Sequence, residues 1–335
     1  MSDSSGFMIY TISVIIPNHN GSATIAKCLE AALASRYPKF EIVVVDDCSE
    51  DDSVAIIKRF PCKLLRLDKP SGASKARNIG ALNGQGDILF FTDADCLLQK
   101  DTLSILNRTF SEEGPDTIIG GTYTPVPYDC SFFSVFQSIF IHYSETKKPK
   151  APDYIATHAM ALDAVVFKKM DGFAEDFLPI LEDVELSHRL RKSGCRLVIN
   201  PAIMVQHIFN YTLFGSLRNA VKKSMYWTVY SLKKRDLLAD SGTASFELKF
   251  NVVSHFINFT LLLLWIPLSK SVLLYLALVV SGCNILINRK LLKSFFRIKG
   301  FKFAFLAWIY YALIYPFAVV IGGAVGMIKS LLKSL

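Results

Sequence analysis

Short apolar runs alternate with segments of helical periodicity between residues 8 and 210. Four runs rich in β-branched or aromatic residues predict strands, at residues 11–16, 41–45, 63–67 and 88–92. The intervening segments predict helices, at residues 22–35, at residues 53–59 and after residue 74. Such alternation is typical of a layered α/β domain with a largely parallel sheet.

Three long apolar segments follow, at residues 250–269, 271–288 and 303–328, and none contains Asp, Glu, Lys or Arg. Each is about long enough to cross a hydrocarbon core of roughly 30 Å. We therefore expect three membrane helices, and the alternative for each is a helix buried in a protein core. The first two are separated only at Ser269 and Lys270, so they form either a tight hairpin or a pair of partly inserted helices.

The loop between the second and third apolar segments is basic and has no acidic residue; its cations are Arg289, Lys290, Lys293, Arg297, Lys299 and Lys302. Loops of this kind stay in the cytoplasm. The N-terminal domain lies two crossings earlier, on the same side, so we expect an integral protein of the inner or plasma membrane with a cytoplasmic domain. Residues 1–7 have no basic n-region, and no cleavable signal is expected.

Composition agrees with a membrane-associated chain. Hydrophobic residues make up 51% of the 335 residues, and the mean hydropathy of +0.34 exceeds the ordinary soluble range. The net charge of +8 arises largely near the apolar segments, which favours membrane lipid as a partner and no nucleic acid. The seven cysteines show no metal-ligand spacing and suit free thiols in a reducing compartment.

Two carboxylates, Asp93 and Asp95, follow the predicted strand at residues 88–92. Carboxylates at the rim of a sheet are costly to bury unless a cation or hydrogen bonds hold them, and hard divalent cations prefer oxygen ligands. The pair therefore predicts a metal site that holds phosphates, and the alternative is two ordinary loop residues. Polar residues also follow the first two strands, at the sheet edge where ligands bind in α/β folds.

Four motifs, in this order and at this spacing, resemble family 2 glycosyltransferases of the GT-A fold. They are SVIIPNHN at residues 13–20, EIVVVDDCSED at 41–51, GASKARNIG at 72–80 and FTDAD at 91–95. The resemblance continues through GFAE at 172–175, EDVELSHRL at 182–190, Gly194 and His207, and covers about residues 11–207. It implies a nucleotide-diphospho-sugar transferase fold with a mostly parallel central sheet, followed here by a C-terminal α-helical transmembrane region.

The resemblance implies a UDP- or GDP-linked sugar as the donor. The residues that it places near the base and ribose are Pro17, Asn18, Asn20, Asp46, Asp47 and Asp93. Lys75 and Arg77 are expected near the diphosphate or on the floor of the site, and Gly72 and Asn78 complete the donor-binding set. The alternative for Asp46 and Asp47 is an Asx turn, and that for Lys75 and Arg77 is a solvated helix face.

The resemblance also implies a divalent cofactor, Mg²⁺ or Mn²⁺, bound through Asp95 with Asp93 and His207. His207 has a structural role as its alternative. Asp183 corresponds to the catalytic base, which takes a proton from the acceptor hydroxyl in a single displacement that inverts the anomeric configuration. Glu182 is expected to bind the acceptor or to support Asp183, and the alternative for this acid pair is a helix N-cap. Glu185 and Arg189 predict an (i, i+4) ion pair.

Two features depart from the usual family pattern. Residues 156–161 read ATHAMA where many members have a stretch containing Gly or Asn, which puts the acceptor contacts in doubt. The Gln-x-x-Arg-Trp signature of processive members is absent, which favours transfer of a single sugar. The aromatic run at residues 132–141 is expected either to touch the membrane or to form a core helix.

We therefore expect a GT-A catalytic domain at residues 1–215, a basic interfacial segment at 216–249 and a transmembrane region at 250–335. The basic segment carries aromatic residues among its cations and suits an anionic membrane surface, with a solvated linker helix as its alternative. The expected function is transfer of one sugar from a nucleotide donor to a lipid-linked or membrane-proximal acceptor. The alternatives are a polyprenyl-phosphate sugar synthase and a non-catalytic nucleotide-sugar-binding membrane subunit.

Overall fold

The computed structural model describes residues 8–176, 178, 180–237 and 239–333. Residues 1–7, on which the expectation about a signal segment rests, lie outside this part. The chain divides into two compact units. The sheet unit comprises residues up to 130 and residues 145–210, and the helical unit comprises residues 131–144 and 211 onward.

The sheet unit is built on eight strands. They are β1 (Ile12–Asn18), β2 (Phe40–Asp46), β3 (Lys63–Arg66), β4 (Ile88–Phe91), β5 (Cys96–Leu98), β6 (Thr117–Tyr123), β7 (Met160–Asp163) and β8 (Arg196–His207). Their order in the sheet is β3-β2-β1-β4-β7-β6-β8-β5. Strands β3, β2, β1 and β4 are parallel, β7 is antiparallel to both of its neighbours, β8 is parallel to β6, and β5 is antiparallel to β8.

The predicted α/β fold class is confirmed, as a mixed sheet in which the four strands that the sequence predicted form one continuous parallel part. The helices of the sheet unit are α1 (Ile25–Leu33), α2 (Ser53–Ile57), α3 (Ala73–Asn83), α4 (Thr102–Glu113), α6 (Ala164–Lys169) and α7 (Glu182–Lys192). Strand β1 continues through Pro17 to Asn18, past the predicted end at residue 16, and pairs with β2 along its whole length. Buried side chains including Ile15, Val45 and Phe91 form the core on one side of the sheet.

The helical unit contains most of α5 (Phe132–Thr146) together with α8 (Leu213–Lys234), α9 (Phe246–Leu268), α10 (Ser271–Ile309), a π-helical turn (Tyr310–Ile314) and α11 (Tyr315–Lys333). The aromatic run at residues 132–141 lies in α5. Phe136 is fully buried and packs against Phe295 and Tyr310, with ring centroids 5.4 and 4.9 Å away. Of the two expectations for this run, the core helix is the one observed.

Among the described residues, two helical segments are long and apolar enough to cross a membrane, Phe246–Leu268 and Ser271–Leu332. Only 11% of the most apolar part of the first is buried, so this helix is not the core helix of the alternative interpretation. The second segment breaks its helical geometry at Gly300, where φ is +79° and ψ is −177°. The predicted spans at residues 271–288 and 303–328 lie on either side of Gly300, and the count of three spans stays a prediction.

Buried polar side chains join the apolar helices. Asn251 on α9 donates to the Tyr311 carbonyl oxygen at 2.7 Å and accepts from Asn284 on α10 at 3.0 Å. Asn288 then donates to the Asn284 side-chain oxygen at 2.7 Å. Internal pairing of this kind is what a helix bundle in lipid requires, because no water is present to satisfy polar groups.

Helices α8 and α11 approach closely at two glycines of α11. A Cβ on Gly322 would lie 2.4 Å from the Val221 carbonyl oxygen, and one on Gly326 would lie 2.5 Å from the Met225 carbonyl oxygen. The spacing of four residues is the small-residue pattern that lets helix backbones meet. The basic segment predicted as an interfacial or linker helix is thus, over α8, a packed helix of the helical unit.

We expect Gly326→Ala to lower the free energy of unfolding by about 1–3 kcal/mol, because its Cβ would overlap the backbone of α8. Thermal unfolding of the detergent-solubilised chain measures the change. Gly323→Ala is the matched control, since its Cβ would meet nothing closer than Thr228 Oγ1 at 3.7 Å. Equal melting temperatures for the two variants would contradict the close packing.

Candidate active site

The carboxyl ends of β1 and β2 are tied together by their own polar side chains. Asn18 Nδ2 donates to Asp46 Oδ1 at 2.9 Å and to Ser49 Oγ at 3.2 Å, and Asp46 is fully buried. Asn20 takes a left-handed backbone conformation, with φ +52°, and its side-chain oxygen accepts from the Glu50 N–H at 2.8 Å. The structure therefore brings these predicted donor-binding residues together, directly after Pro17 at the end of β1.

One hydrogen-bond acceptor in this group receives no hydrogen bond from the described residues. Within the described residues, Asn18 Oδ1 is buried and has no hydrogen-bond partner. A Cβ on Gly21 would lie 2.3 Å from that oxygen, so glycine is required to leave it space. A buried acceptor without a partner is costly unless a ligand N–H or O–H reaches it.

Asp47 holds the loop that precedes α3. Its two carboxylate oxygens accept from the backbone N–H groups of Ser71 and Gly72, at 2.7 and 2.8 Å. Gly72 has φ +88°, a conformation that favours glycine. Asp47 thus has a loop-ordering role in addition to any contact with a donor, which stays a prediction.

Arg77 on α3 joins two acidic motifs that lie far apart in the sequence. Its guanidinium donates to Asp93 Oδ1 at 2.7 Å and to Glu182 Oε1 at 2.6 Å, and the residue is only 4% exposed. Arg77 therefore lies on the floor of the site, and the solvated-face alternative is wrong for it. Burial alone would raise the pKa of Asp93, but the charge and hydrogen bond of Arg77 outweigh burial and hold that pKa below its ordinary value.

Lys75 and Asn78 lie near Arg77 on the same helix, but their side chains make different contacts. The Lys75 side chain is partly exposed, and its Nζ lies 3.6 Å from Glu175 Oε2. Asn78 exchanges two hydrogen bonds with the backbone of Phe173, each 2.8 Å long. Its amide thus holds the loop at residues 172–175, and a direct donor contact for Asn78 stays a prediction.

The pairing of β5 with β8 brings His207 to Asp95. Cys96 lies opposite His207 in the register, and His207 Nε2 is 3.4 Å from Asp95 Oδ1. Burial and the negative charge of Asp93 raise the pKa of Asp95 to about 7, although 40% of the side chain is exposed. A cation beside Asp95 would offset that shift.

The available donor atoms fit Mg²⁺ or Mn²⁺. Asp95, Cys96 and His207 are close enough to share an ion. Cys96 is fully buried, and burial raises the pKa of its thiol. Its sulfur is a soft ligand, whereas hard divalent cations prefer oxygen. The carboxylate of Asp95 and the imidazole of His207 are the ligands that remain, and both are ordinary ligands of divalent cations. Asp93 is engaged by Arg77, and its part in metal binding stays a prediction.

Asp183 lies in the first turn of α7. The preceding Leu181 has φ +77°, a strained value for a bulky residue that turns the chain into the helix. Leu181 occupies the N-cap position and makes no side-chain cap, so neither acid is the cap residue, but both lie in the first turn, where the alternative interpretation placed their charges favourably toward the helix dipole. Asp183 accepts from the Thr157 N–H at 3.4 Å and from the Val184 N–H at 2.8 Å.

The environment of Asp183 suits a base near neutral pH. Burial and the negative charge of Glu182 raise the pKa of Asp183 to about 7. Glu182 itself is held by Arg77, and the predicted pair between Glu185 and Arg189 forms at 2.9 Å. Arg189 also donates to the Gly172 carbonyl oxygen at 2.6 Å, which fixes the loop that Asn78 contacts.

Three buried residues near the candidate metal ligands were not predicted as site residues from the sequence: Tyr123, Glu145 and His158. His158 drew notice only as part of the unusual stretch at residues 156–161. Tyr123 and Glu145 belong to no motif, and no local pattern could have identified them. The contact between His158 Nε2 and Glu145 Oε2, at 3.5 Å, depends on elements distant in the sequence.

With this geometry in place, the comparisons with known proteins identify the domain. A mixed α/β sheet with acidic residues at the carboxyl ends of its strands is the arrangement in which α/β domains bind their ligands. Residues 13–166 match the family described as "Glycosyl transferase family 2", so the chain contains a family 2 glycosyltransferase domain. The resemblance found in the sequence is confirmed.

Two curated relatives illustrate the match. Glycosyltransferase AglE of Haloferax volcanii is 37% identical over 117 residues, which are 33% of this chain and 38% of AglE. Glycosyltransferase GlyG of Streptococcus pneumoniae is 28% identical over 127 residues, which are 36% of this chain and 42% of GlyG. The match thus spans less than half the length of either relative.

One solved structure resembles nearly the whole chain. It is the mannosyltransferase PcManGT from Pyrobaculum calidifontis, in complex with GDP-Man and Mn²⁺. The similarity covers 98% of this chain and 89% of PcManGT, with a TM-score of 0.59 and 17% sequence identity. At this identity the comparison establishes the fold, including the helices that follow the sheet unit.

Proposed function

We propose that this chain is a membrane-anchored, metal-dependent, inverting glycosyltransferase. It transfers a single sugar from a UDP- or GDP-linked donor to a lipid-linked or membrane-proximal acceptor. The observation that carries the proposal is the bridge formed by Arg77, which holds Asp93 at 2.7 Å and Glu182 at 2.6 Å. The bridge supports the proposal because it joins Asp93, on the proposed donor side, to Glu182, which directly precedes Asp183, the proposed base.

The donor half of the proposal rests on the ends of β1 and β2. Asn18, Asp46 and Asn20 form a fixed polar wall, and the buried Asn18 Oδ1 is an acceptor available to a base or ribose donor group. The loop at Ser71 and Gly72 is held by Asp47, so its backbone lies near the same carboxyl ends of the strands. The fold is shared with PcManGT, which binds GDP-Man and Mn²⁺, and a nucleotide-linked sugar is therefore the donor class to test first.

Asp95 and His207 would hold the divalent cation. Asp93 would contribute through the carboxylate oxygen that is not paired with Arg77. Once bound, such a cation neutralises the negative charge that develops on the departing diphosphate. Arg77 keeps Asp93 ionised and the floor of the site rigid. The fully buried neighbours of these residues, Cys28 and Cys96, exclude water from behind the carboxylates.

Asp183 accepts the proton in the proposed reaction. The acceptor hydroxyl oxygen attacks the anomeric carbon of the donor sugar and forms the new glycosidic bond. The bond from that carbon to the diphosphate oxygen breaks, and its electron pair leaves with the nucleoside diphosphate. The hydroxyl proton passes to an Asp183 carboxylate oxygen, and attack from the opposite side inverts the anomeric configuration.

The membrane part of the proposal rests on the apolar helices and the charge around them. Phe246–Leu268 and Ser271–Leu332 are long and apolar enough to span a bilayer. Basic residues at positions 289–302 favour a cytoplasmic position for the chain between the second and third predicted spans. An acceptor attached to lipid would then be available on the same face of the membrane as the sheet unit.

The enzyme class is tested with the purified full chain, a panel of UDP- and GDP-linked sugars, Mn²⁺ and extracted membrane lipids. Release of nucleoside diphosphate that needs one donor, the lipids and the metal supports the proposal. Transfer to a purified polyprenyl phosphate favours the polyprenyl-phosphate sugar synthase. Donor binding without release of nucleoside diphosphate in any mixture would identify a non-catalytic subunit.

We expect kcat to fall about tenfold per pH unit as the pH decreases below about 7, because Asp183 acts as a base only when deprotonated and its pKa is raised to about 7. The rate should level off about one unit above that pKa. Initial rates at saturating donor, acceptor and Mn²⁺ measure the profile, since bound Mn²⁺ keeps Asp95 ionised. An acidic limb that is unchanged in Asp183→Asn would contradict this assignment.

A cysteine at position 299 is expected to be accessible only from the cytoplasm, because this position lies in the basic stretch beside Gly300. The variant is Lys299→Cys in a chain whose exposed or partly exposed cysteines are replaced by serine; these are Cys48, Cys62, Cys130, Cys195 and Cys283. The same chain without Lys299→Cys is the control. A membrane-impermeant maleimide should label it in inverted vesicles and not in intact cells. Labelling of intact cells would overturn the proposed orientation.

A further inference from the structure

Four aromatic rings lie in contact near Asp95 in the sheet unit, in pairs that are either stacked or edge to face. The His207 ring stacks on Phe209 with centroids 3.9 Å apart, and the edge of Tyr123 meets His207 at 5.0 Å. Tyr123 in turn stacks on His158, with centroids 3.9 Å apart. We call Phe209, His207, Tyr123 and His158 the ring ladder.

A buried carboxylate anchors the far end of the ring ladder. His158 Nε2 lies 3.5 Å from Glu145 Oε2, and both side chains are only 7% exposed. The Thr122 hydroxyl donates to the same Glu145 oxygen at 2.8 Å, and the Thr92 hydroxyl donates to the His158 carbonyl oxygen at 3.0 Å. His158 is therefore fixed both at its ring and at its backbone.

This arrangement matters because His207 is the last residue of β8. An imidazole at a strand end can rotate about two side-chain bonds, and only some orientations direct Nε2 toward Asp95. Histidine ligands commonly gain their orientation from a carboxylate or carbonyl partner of the second ring nitrogen. Here the His207 ring is also confined by the face of Phe209 and the edge of Tyr123.

We propose that the ring ladder, anchored on Glu145, positions His207 for divalent-cation binding. Tyr123, His158 and Glu145 are positioning residues, which act through His207 and touch neither donor nor acceptor. The inference rests on the proposed function in one respect, that a divalent cation binds at Asp95 and His207.

The test measures Mn²⁺ binding directly, by electron paramagnetic resonance of the detergent-solubilised full chain with UDP and, separately, with GDP. We expect Tyr123→Leu to weaken Mn²⁺ binding about 10- to 100-fold, the usual effect of removing an outer-shell partner. Tyr123→Phe keeps the ring contacts and should restore binding to within about twofold. Phe167→Leu removes a similarly buried ring whose ring contacts, among the described residues, are with Phe91 and Phe173, and it controls for general loss of stability.

A second readout separates positioning from a merely structural role. The Mn²⁺ concentration that gives half-maximal activity should rise in Tyr123→Leu, while kcat at saturating Mn²⁺ returns toward the wild-type value. If Tyr123→Leu does not fold, His158→Leu and Glu145→Gln carry the test, each with an expected loss of at least about fivefold in Mn²⁺ affinity.

The possible failures are distinguishable. Absence of Mn²⁺ binding by the wild-type chain with either nucleotide rejects the metal site, and the role of the ring ladder with it. Wild-type binding that is matched by Tyr123→Leu, His158→Leu and Glu145→Gln rejects the ring ladder alone and leaves the metal site standing. An equal loss in Phe167→Leu also overturns the inference, because it would show a nonspecific effect of core disruption.

Discussion

Asp183→Asn is expected to lower kcat by about 10²–10⁴-fold with little change in donor affinity, if the acceptor is a sugar or lipid hydroxyl. A hydroxyl has a very high pKa and needs a base in the transition state, and general-base assistance commonly accounts for a factor of this size. Asn keeps one side-chain oxygen, which can still accept from the Val184 N–H, the shorter contact at 2.8 Å, and it gives up only the longer one from the Thr157 N–H at 3.4 Å. Steady-state rates and nucleotide titrations of the same preparation measure both quantities.

The same variant separates the two acceptor classes. A polyprenyl phosphate is already anionic at neutral pH and attacks without a base, so the loss in Asp183→Asn would be much smaller and would arise from positioning. Asp153→Asn is the control, because Asp153 pairs with Arg191 and His188 of the same helix and with neither acid of the site. Near-normal turnover of a hydroxyl acceptor by Asp183→Asn, with unchanged donor binding, would reject Asp183 as the base.

Asp95→Ala is expected to lower kcat/KM by at least about 10²-fold at any attainable Mn²⁺ concentration. The variant loses the carboxylate that lies 3.4 Å from His207, and the cation's stabilisation of the leaving diphosphate is worth several kcal/mol. Removal of metal from the wild-type chain with EDTA should produce the same loss, and added Mn²⁺ should reverse it only in the wild type.

Asp101→Ala is the matched control for Asp95→Ala. Asp101 lies six residues further along the chain and forms an exposed pair with Arg36 at 3.4 Å, so its removal should leave the rate within about twofold of the wild type. Full wild-type turnover in excess EDTA, or rescue of Asp95→Ala by ordinary Mn²⁺ concentrations, would contradict metal binding through Asp95.

The part of the site that the sequence could predict is the part built from local signals. Strands β1, β2 and β4 are continuous apolar runs, and the polar residues that end them are adjacent to those runs in the chain. Because parallel strands end at one edge, the chain pattern alone places Asn18, Asp46 and Asp93 together. The boundaries of these strands differ from the predicted ones by only one or two residues.

The remaining features depend on contacts between distant segments. Nothing near Cys96 indicates that β5 pairs with the end of β8, and His207 entered the predicted site through family resemblance alone. The antiparallel insertion of β7 between β4 and β6 has no signature in the alternation of strands and helices. The residues of Arg77's bridge were each singled out in the sequence, but only the folded chain shows that one guanidinium serves both Asp93 and Glu182.

The same limit applies to the helical unit. The long apolar segments predicted helices α9, α10 and α11. The break in helical geometry at Gly300 and the π-helical turn at Tyr310–Ile314 could not be predicted from those segments. The packing of α8 on Gly322 and Gly326 likewise depends on close backbone approach across about a hundred residues of sequence.

The most direct test of the central claim is transfer of radiolabelled sugar to lipid by the full chain. Purified protein in detergent is incubated with labelled UDP- and GDP-linked sugars, extracted membrane lipids and Mn²⁺, and label in the organic extract is counted and its anomeric configuration determined. We expect metal-dependent label in a lipid product, with the anomeric configuration opposite to that of the donor. We expect this label to be lost in Asp95→Ala. Label transferred with retained configuration, or no transfer from any donor by protein that binds nucleotide and Mn²⁺, would contradict the account.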